Sequence, residues 1–367
     1  MALVTRVTDL IGNTPLFELA TTDTGTRLLL KLEQLNPTGA AKIRMAREMV
    51  LDAERRDLLR DGGHIIESTS GNTGLGLAVV AAERGYRFTA VVDHHACRDK
   101  LRAMQAMGAE LVYVADDGDA RPNGQGPEEA ACVTTEGPRS GGSKHSLATS
   151  AREDLAEAMA AARDDAYFTE QHNNDANALG YYAVAEELLE DLGQVDILLS
   201  AVGTGGSLFG TARRLRELGC RPRVIGVEPV GSIAFGGEGG PYWQSGTGTP
   251  PGATVGTAVD YSLLDEGLKV TDVAAFATTR AVARKAGLLI GGSAGGSVHA
   301  ALTRLEEFPP GSTIVTIVCD GGEKYLDTVF DDDWMAERDL LDETAERDVL
   351  ELLDRYSPAR RDLVGVR

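Results

Sequence analysis

Short apolar runs bounded by turn residues recur along the chain, separated by longer stretches whose apolar positions return with helical spacing. The runs Leu28-Leu29-Leu30, Ile65-Ile66, Phe88–Val92, Glu110–Val114, Asp196–Ala201, Arg223–Val227 and Thr313–Val318 predict strands. Helical periodicity covers Asn72–Arg84, Cys97–Met107, Gly206–Leu218, Val273–Lys285 and Gly295–Phe308. Strands alternating with helices of this length predict an α/β fold with parallel sheets. The rhythm breaks from about Gly118 to Ser146, a polar stretch rich in Gly and Pro. A connection this long is either functional or disordered, and it reads as a surface insertion. From about Asp331 the tail is charged and helix-like, suited to packing on the body or on a partner subunit.

Composition narrows the class. At roughly 100–200 residues per domain, a chain of 367 residues predicts two domains. No window reaches the roughly 18 consecutive apolar residues of a membrane span. The start MALVTRVTDLIGNTPL has no apolar run with a cleavage site, so a secretory signal is not expected. Cys97, Cys132, Cys220 and Cys319 form no CxxC pair, which argues against a zinc ribbon or redox dithiol and fits reduced thiols in the cytoplasm. A formal charge of −20 repels phosphate backbones and anionic lipid, so neither nucleic acid nor membrane is an expected partner. No metal site is expected: His94 and His95 follow a strand in a loop position, and His172 stands out only as the neighbour of Gln171.

Four segments carry candidate chemistry. In Asn36-Pro37-Thr38-Gly39-Ala40-Ala41-Lys42, a Pro/Gly turn delivers a lysine to the start of a helical segment. Alone, that lysine is as well explained as surface decoration, and the phosphate-loop pattern GxxxxGK[ST] is absent. In Ser68-Thr69-Ser70-Gly71-Asn72-Thr73-Gly74, hydroxyls and amides crowd a helix N-terminus, where unpaired N–H groups suit a carboxylate or phosphate. The bland alternative is a helix cap, which needs fewer such residues. Gly203-Thr204-Gly205-Gly206-Ser207 joins a strand to a helix, and its glycines let the backbone approach an oxyanion. Leu208 stands where a dinucleotide fingerprint needs its last glycine, so a single phosphate fits better than NAD. Gly291-Gly292-Ser293-Ala294-Gly295-Gly296 is the fourth, by itself an ordinary strand–turn–helix joint. In this order on an α/β frame, the four supply an amine for a Schiff base, carboxylate donors, a phosphate site and a partner for a pyridine nitrogen.

These motifs, with IGNTPL (Ile11 to Leu16), IGVEPVGS and DGGEKYL, resemble the cysteine synthase and cystathionine β-synthase family of fold-type-II pyridoxal-phosphate (PLP) enzymes. The resemblance runs from about Val7 to Trp334. It implies two α/β domains, each with a largely parallel twisted sheet flanked by helices as in tryptophan synthase β, with PLP in the cleft between them. Residues 43–150 are then the smaller domain and carry the insertion at about 118–146. Residues 1–42 plus 151–330 form the larger domain, and 331–367 the charged helical tail. Lys42 is implied as the Schiff-base lysine and proton carrier, and Gly203, Thr204, Gly205, Gly206 and Ser207 as the phosphate loop. Ser293 is implied at the pyridine nitrogen. Thr69, Ser70, Gly71, Asn72, Thr73 and Gln171 are implied around the substrate carboxylate, with Asn72 also facing the ring 3′-oxygen.

A hydroxyl at Ser293 does not favour a protonated pyridine, so the ring is a weaker electron sink and loss of a β-leaving group is favoured. The expected reaction is β-replacement on an activated L-serine through an α-aminoacrylate, with ping-pong kinetics. Family members usually read Gly-Ser-x-Lys-Asp-Arg at the lysine, whereas this chain has Ala40 and Ile43 in place of the hydroxyl and carboxylate. No Lys or Arg occurs from Val224 to Leu268, which tilts the donor toward O-acetylserine, although Arg44 or Arg98 offers a cation for O-phosphoserine. Sulfide is the default small nucleophile, with homocysteine or an amine, as in 2,3-diaminopropionate synthesis, as alternatives. Rival readings are a serine/threonine dehydratase, a non-catalytic homologue and an unrelated nucleotide-binding protein. The resemblance further implies a homodimer.

Overall fold

Eleven strands among the described residues sort into two sheets. The computed structural model describes residues 3–92, 98–114, 120–121 and 144–358, and the side chains of all these except 120, 121 and 144–151. In chain order the strands are β1 (Leu16–Thr21), β2 (Arg27–Lys31), β3 (His64–Ser68), β4 (Arg87–Val92), β5 (Glu110–Val114) and β6 (Ala120–Arg121). There follow β7 (Ala166–Phe168), β8 (Ile197–Ala201), β9 (Arg223–Pro229), β10 (Glu266–Val270) and β11 (Thr313–Ile317). One sheet has six strands in the order β1-β2-β11-β8-β9-β10, the other five in the order β6-β5-β4-β3-β7. Only the pairs β1–β2 and β5–β6 are antiparallel.

The strands expected from the sequence are those whose residues are covered on both faces, such as β3, β8 and β11, which are buried throughout. Those not foreseen, β1, β6, β7 and β10, lie at sheet edges. β7 pairs with β3, so the five-stranded sheet continues to Phe168, past the boundary expected at 150. The physical reason is that β7 has three half-buried residues and no apolar run to announce it. Apart from Ala120–Arg121 and the start of the helix Lys144–Ala161, the insertion expected at about 118–146 lies outside the described residues. His94, His95, Cys97 and Cys132 lie outside them as well.

The helix Lys42–Arg55 joins the two halves. Its Met45, Met49 and Val50, fully buried, share one apolar core with Leu77 and Val80 of the helix Asn72–Arg84 and with Tyr181, Val184 and Phe209. Each such methionine contributes about 1.5–3 kcal/mol by leaving water. Two glycines allow the close approach: a Cβ on Gly76 would lie 2.8 Å from the Ala46 Cβ, and one on Gly180 2.7 Å from the Met45 Cα. Lys42 is thus held at the head of a helix wedged from both sides. Behind the six-stranded sheet, Leu28, Leu30, Leu199, Phe276, Val298 and Trp334 form a second core. The tail helix Glu343–Arg355 adds Val349 and Leu353 to that core. Among the described residues no helix is long and apolar enough to cross a membrane.

Candidate active site

Three of the four candidate segments follow a strand with a parallel neighbour, at the end where open α/β sheets form their ligand crevices. Lys42 follows β2, Thr69–Thr73 follow β3, Gln171 follows β7, Gly203–Ser207 follow β8, and Cys319–Tyr325 follow β11. Ser293 belongs to the first turn of the helix Gly292–Leu302, which begins three residues earlier than its periodicity suggests because Gly291 opens it in an extended conformation. A backbone bridge between Ile290 and Gly321 ties that turn to the end of β11, and a bridge between Ala40 and Asp320 ties the lysine turn to the same place.

The Ala41 amide donates to the Cys319 carbonyl at 2.8 Å, which seats the lysine turn at the end of β11. Burial pushes the Cys319 thiol up to about 12, helped by Asp320 and opposed by the nearby Lys42 ammonium and a hydrogen bond with Ser207. In the glycine loop, Gly205 has φ +92°, and a Cβ there would lie 2.7 Å from the Val259 nitrogen. A Cβ at Gly206 would lie 1.9 Å from the Asn177 Oδ1. The glycines therefore press their backs against the protein, while the amides of Gly205, Gly206 and Ser207 donate to no backbone carbonyl among the described residues. The helix expected over Gly206–Leu218 starts as a π-helical turn, Gly206–Gly210, before becoming α-helix at Thr211–Glu217. That wide turn keeps first-turn N–H groups directed outward. Asn177 braces the loop by donating to the Thr204 Oγ1 at 3.0 Å and the Gln171 carbonyl at 2.7 Å.

In the Thr69–Thr73 loop, the Thr69 Oγ1 caps the helix by accepting from the Gly74 amide at 3.2 Å. Gly71 faces open space, since a Cβ there would meet nothing within 4 Å. Thr73 donates to the Gln171 Oε1 at 2.7 Å, and the Gln171 Nε2 donates to the Ser68 carbonyl at 3.3 Å. Beneath them lies Glu67, wholly buried, which accepts from the Thr169 hydroxyl and the Gln171 amide. Burial outweighs those hydrogen bonds and pushes the Glu67 carboxyl up to about 7.

Asn72 is more constrained than the sequence suggested. Its Nδ2 donates to the Asp320 Oδ2 at 2.8 Å, and its Oδ1 accepts from the Lys324 Nζ at 2.7 Å. Lys324 also donates to the carbonyls of Thr38 and Gly39, both at 3.0 Å, so one ammonium pins the lysine turn to the carboxylate loop. Tyr325 donates to the Asp320 Oδ2 at 2.7 Å, leaving the buried Asp320 Oδ1 without a partner among the described residues. A carboxylate thus stands beside the lysine turn despite Ile43, supplied from the end of β11. Ser293 is buried near this wall and its hydroxyl bonds no described residue.

Arg44 requires a correction. Offered as a cation for a charged donor, it is only 1% exposed and bound by Glu33 at 2.7 Å and Glu187 at 2.8 Å. Burial works against its charge, yet the two carboxylates raise its pKa above the ordinary value. Glu33 and Asn36, which complete this knot with Thr14 and Gly12, show that IGNTPL and the arginine after the lysine build scaffold here. Arg98, by contrast, is exposed at the head of the helix Arg98–Ala106. Sequence reading missed Glu67, Lys100, Asp320, Lys324 and Tyr325. The available signal for the last three was DGGEKYL directly after a buried strand.

The profile of the pyridoxal-phosphate dependent enzymes matches residues 7–320. The chain belongs to that family. Within it, the chain is 47% identical over 341 residues to a Sinorhizobium fredii protein provisionally named cysteine synthase, covering 93% of this chain and 94% of that one. It is 32% identical to the O-acetylserine dependent cystathionine β-synthase of Bacillus subtilis, covering 89% and 97%. Among solved structures, the Entamoeba histolytica cysteine synthase superposes with TM-score 0.78 at 29% identity, covering 96% of each chain. The fold is that of the fold-type-II PLP enzymes.

The residues present fit the cofactor. Unbonded amides over a glycine-lined cradle suit its phosphate. Lys324 ties the Thr38–Gly39 turn before Lys42 to Asn72, and Gln171 with Asn177 ties Thr73 to Thr204, which brings the lysine turn and the glycine loop to a single crevice. Lys42 would hold PLP covalently, Gly203–Ser207 would take the phosphate, and Ser293 would face the ring nitrogen.

Proposed function

We propose that this PLP-dependent enzyme of the cysteine synthase family carries out β-replacement on an activated L-serine, with O-acetyl-L-serine the favoured donor. The observation that supports the reading is the hydrogen-bond chain that ties the lysine turn to Asn72 through Lys324, and the Thr69–Thr73 loop to the glycine loop through Gln171 and Asn177. Bound PLP supplies an electron sink conjugated to the substrate α-carbon. The chain does the rest. Thr69, Ser70, the Asn72 and Thr73 amides and Gln171 orient the substrate carboxylate, and Gly71 leaves room for it. Lys42 removes and returns the α-proton from the head of its clamped helix. Ser293 offers a neutral hydroxyl to the ring, which favours rapid loss of the β-substituent over a long-lived carbanion. Relatives named cysteine synthase and O-acetylserine dependent cystathionine β-synthase support this donor, and a solved O-ureido-L-serine synthase at 30% identity and TM-score 0.76 widens the range of nucleophiles.

The two sheets are read as the cores of two domains with the site between them, and the enzyme as a cytoplasmic homodimer of small-molecule metabolism. The test is the absorption spectrum of the purified protein on titration with O-acetylserine, followed by product analysis after adding sulfide. A cofactor band that responds to donor alone, and a β-substituted alanine as product, are expected. Pyruvate as the sole product would turn the reading to a dehydratase, and failure to take up PLP would sink it. Lys42→Ala should lower turnover by about three orders of magnitude or more while leaving the circular dichroism spectrum intact.

A further inference from the structure

Lys100 is a buried cation that the described fold leaves without a counter-ion. The helix Arg98–Ala106 holds it at 8% exposure, with its ammonium 5.3 Å from the centre of the Tyr325 ring. Among the described residues it meets no carboxylate and donates no hydrogen bond. Buried charges are ordinarily paired, so a lone one beside a cavity points to an absent partner of opposite sign. Lys100 does line a small pocket, together with Ser245, Gly292, Lys324 and Tyr325. That pocket adjoins the proposed site, since Gly292 precedes Ser293 and Lys324 is bonded to Asn72. Lys324 spends its donors on Thr38, Gly39 and Asn72, and so adds positive charge to the wall. Asp320, the carboxylate of the same wall, is turned toward Asn72 and the Tyr325 hydroxyl.

We propose that Lys100 binds a non-reacting anionic group carried by one of the two reactants. This rests on the β-replacement reading and narrows its substrates. The group is either the phosphate of a phosphorylated serine donor or the carboxylate of an amino-acid nucleophile. Sulfide brings no second anionic group, so sulfide with O-acetylserine leaves Lys100 unpaired. Lys100 is then a specificity-determining residue, and it supplies the cation that Arg44 cannot.

The experiment uses the PLP-loaded enzyme as wild type, Lys100→Gln and Lys100→Arg, each first checked for its cofactor band. One arm compares O-phospho-L-serine with O-acetyl-L-serine, sulfide being the common nucleophile. The other compares L-homocysteine with 3-aminopropane-1-thiol, which lacks the carboxylate, O-acetylserine being the common donor. In one arm the wild type should prefer the charged member. Lys100→Gln should lower that kcat/KM ratio by about 10- to 100-fold, the effect of a charge-assisted hydrogen bond, and Lys100→Arg should restore most of it. The arm that responds identifies the source of the anion. A wild type without preference in either arm, or ratios that stay within about threefold in Lys100→Gln, would overturn the assignment while leaving β-replacement intact. A wild type that makes no β-substituted alanine from any pair sinks the proposed function, and this assignment with it.

Discussion

Arg44 and Lys100 are both buried cations, and among the described residues only the first is surrounded by carboxylates. Arg44 bonds Glu33 and Glu187, Lys31 bonds Glu187 at 2.7 Å, and Asn36 and Thr14 fill the remaining sites on Glu33. Two cations face two anions, with neutral donors closing the gaps. Lys100 has an aromatic face below it and a pocket beside it. The contrast separates scaffold from site. A closed network fixes the Lys42 helix against the N-terminal strands and has nothing left to offer a ligand. An open cation stabilises little on its own and keeps its donors for one.

The comparison breaks most easily at Arg44. Arg44→Met removes a guanidinium and leaves two carboxylates facing each other in the interior. Removing one partner of a buried pair costs about 3–5 kcal/mol; here Glu33 is left with neutral donors only, while Glu187 keeps Lys31. Urea denaturation of the holoenzyme should show a loss of that size. A loss below about 1 kcal/mol would mean the network is no more than a surface ion pair in effect.

A second contrast lies among the carboxylates. Glu33 is buried against a guanidinium, whereas Glu67 is buried against neutral donors only, namely Thr169 and Gln171. Its carboxyl is pushed from 4.5 to about 7, burial being the largest cause. The folded protein therefore keeps this proton at pH values where the unfolded chain has released it. The stabilising contribution is complete below about pH 4.5 and declines as pH rises to about 7, by about 3 kcal/mol at most. Glu67→Gln should abolish this component, so the Tm difference between wild type and variant should drift against the wild type over that interval. A difference independent of pH would show that Glu67 titrates in the folded protein as it does in the unfolded chain.

What could be read from the sequence follows the same division. Strands β3, β8 and β11 were legible because covered faces demand unbroken apolar runs, and Asn72–Arg84 was legible because its periodicity matches its bounds. The loops at their ends were legible as well, because a backbone that turns sharply and exposes amides needs Gly, Ser and Thr. The short edge strand β7 was not, so nothing in the sequence signalled that its sheet runs past 150 to Phe168. Charged residues were the least legible. Arg44 looked available for a ligand and is locked, while nothing in the local pattern marked Lys100 or Lys324. Whether a charge is paired depends on residues such as Glu187, 143 positions from Arg44, and no local pattern encodes that.

The smallest effect on stability, and the finest test of the contrast, is at Lys100. Lys100→Met keeps the length and most of the volume of the stem and deletes the ammonium. The fold loses a cation–π contact with Tyr325, about 0.5–2 kcal/mol, and is relieved of desolvating a charge that no carboxylate among the described residues repays. These terms oppose each other, so the net change in unfolding free energy should stay within about 1 kcal/mol, against several for Arg44→Met. Inorganic phosphate then supplies the sharper readout. An anion that binds only the folded state raises its stability by mass action, so phosphate at matched ionic strength should raise the Tm of the wild-type holoenzyme more than chloride does. In Lys100→Met that difference should vanish, because the remaining lysine of the pocket is already bound to Thr38, Gly39 and Asn72. Equal responses to phosphate in both proteins would make Lys100 a latch onto Tyr325, closed in its own way like Arg44.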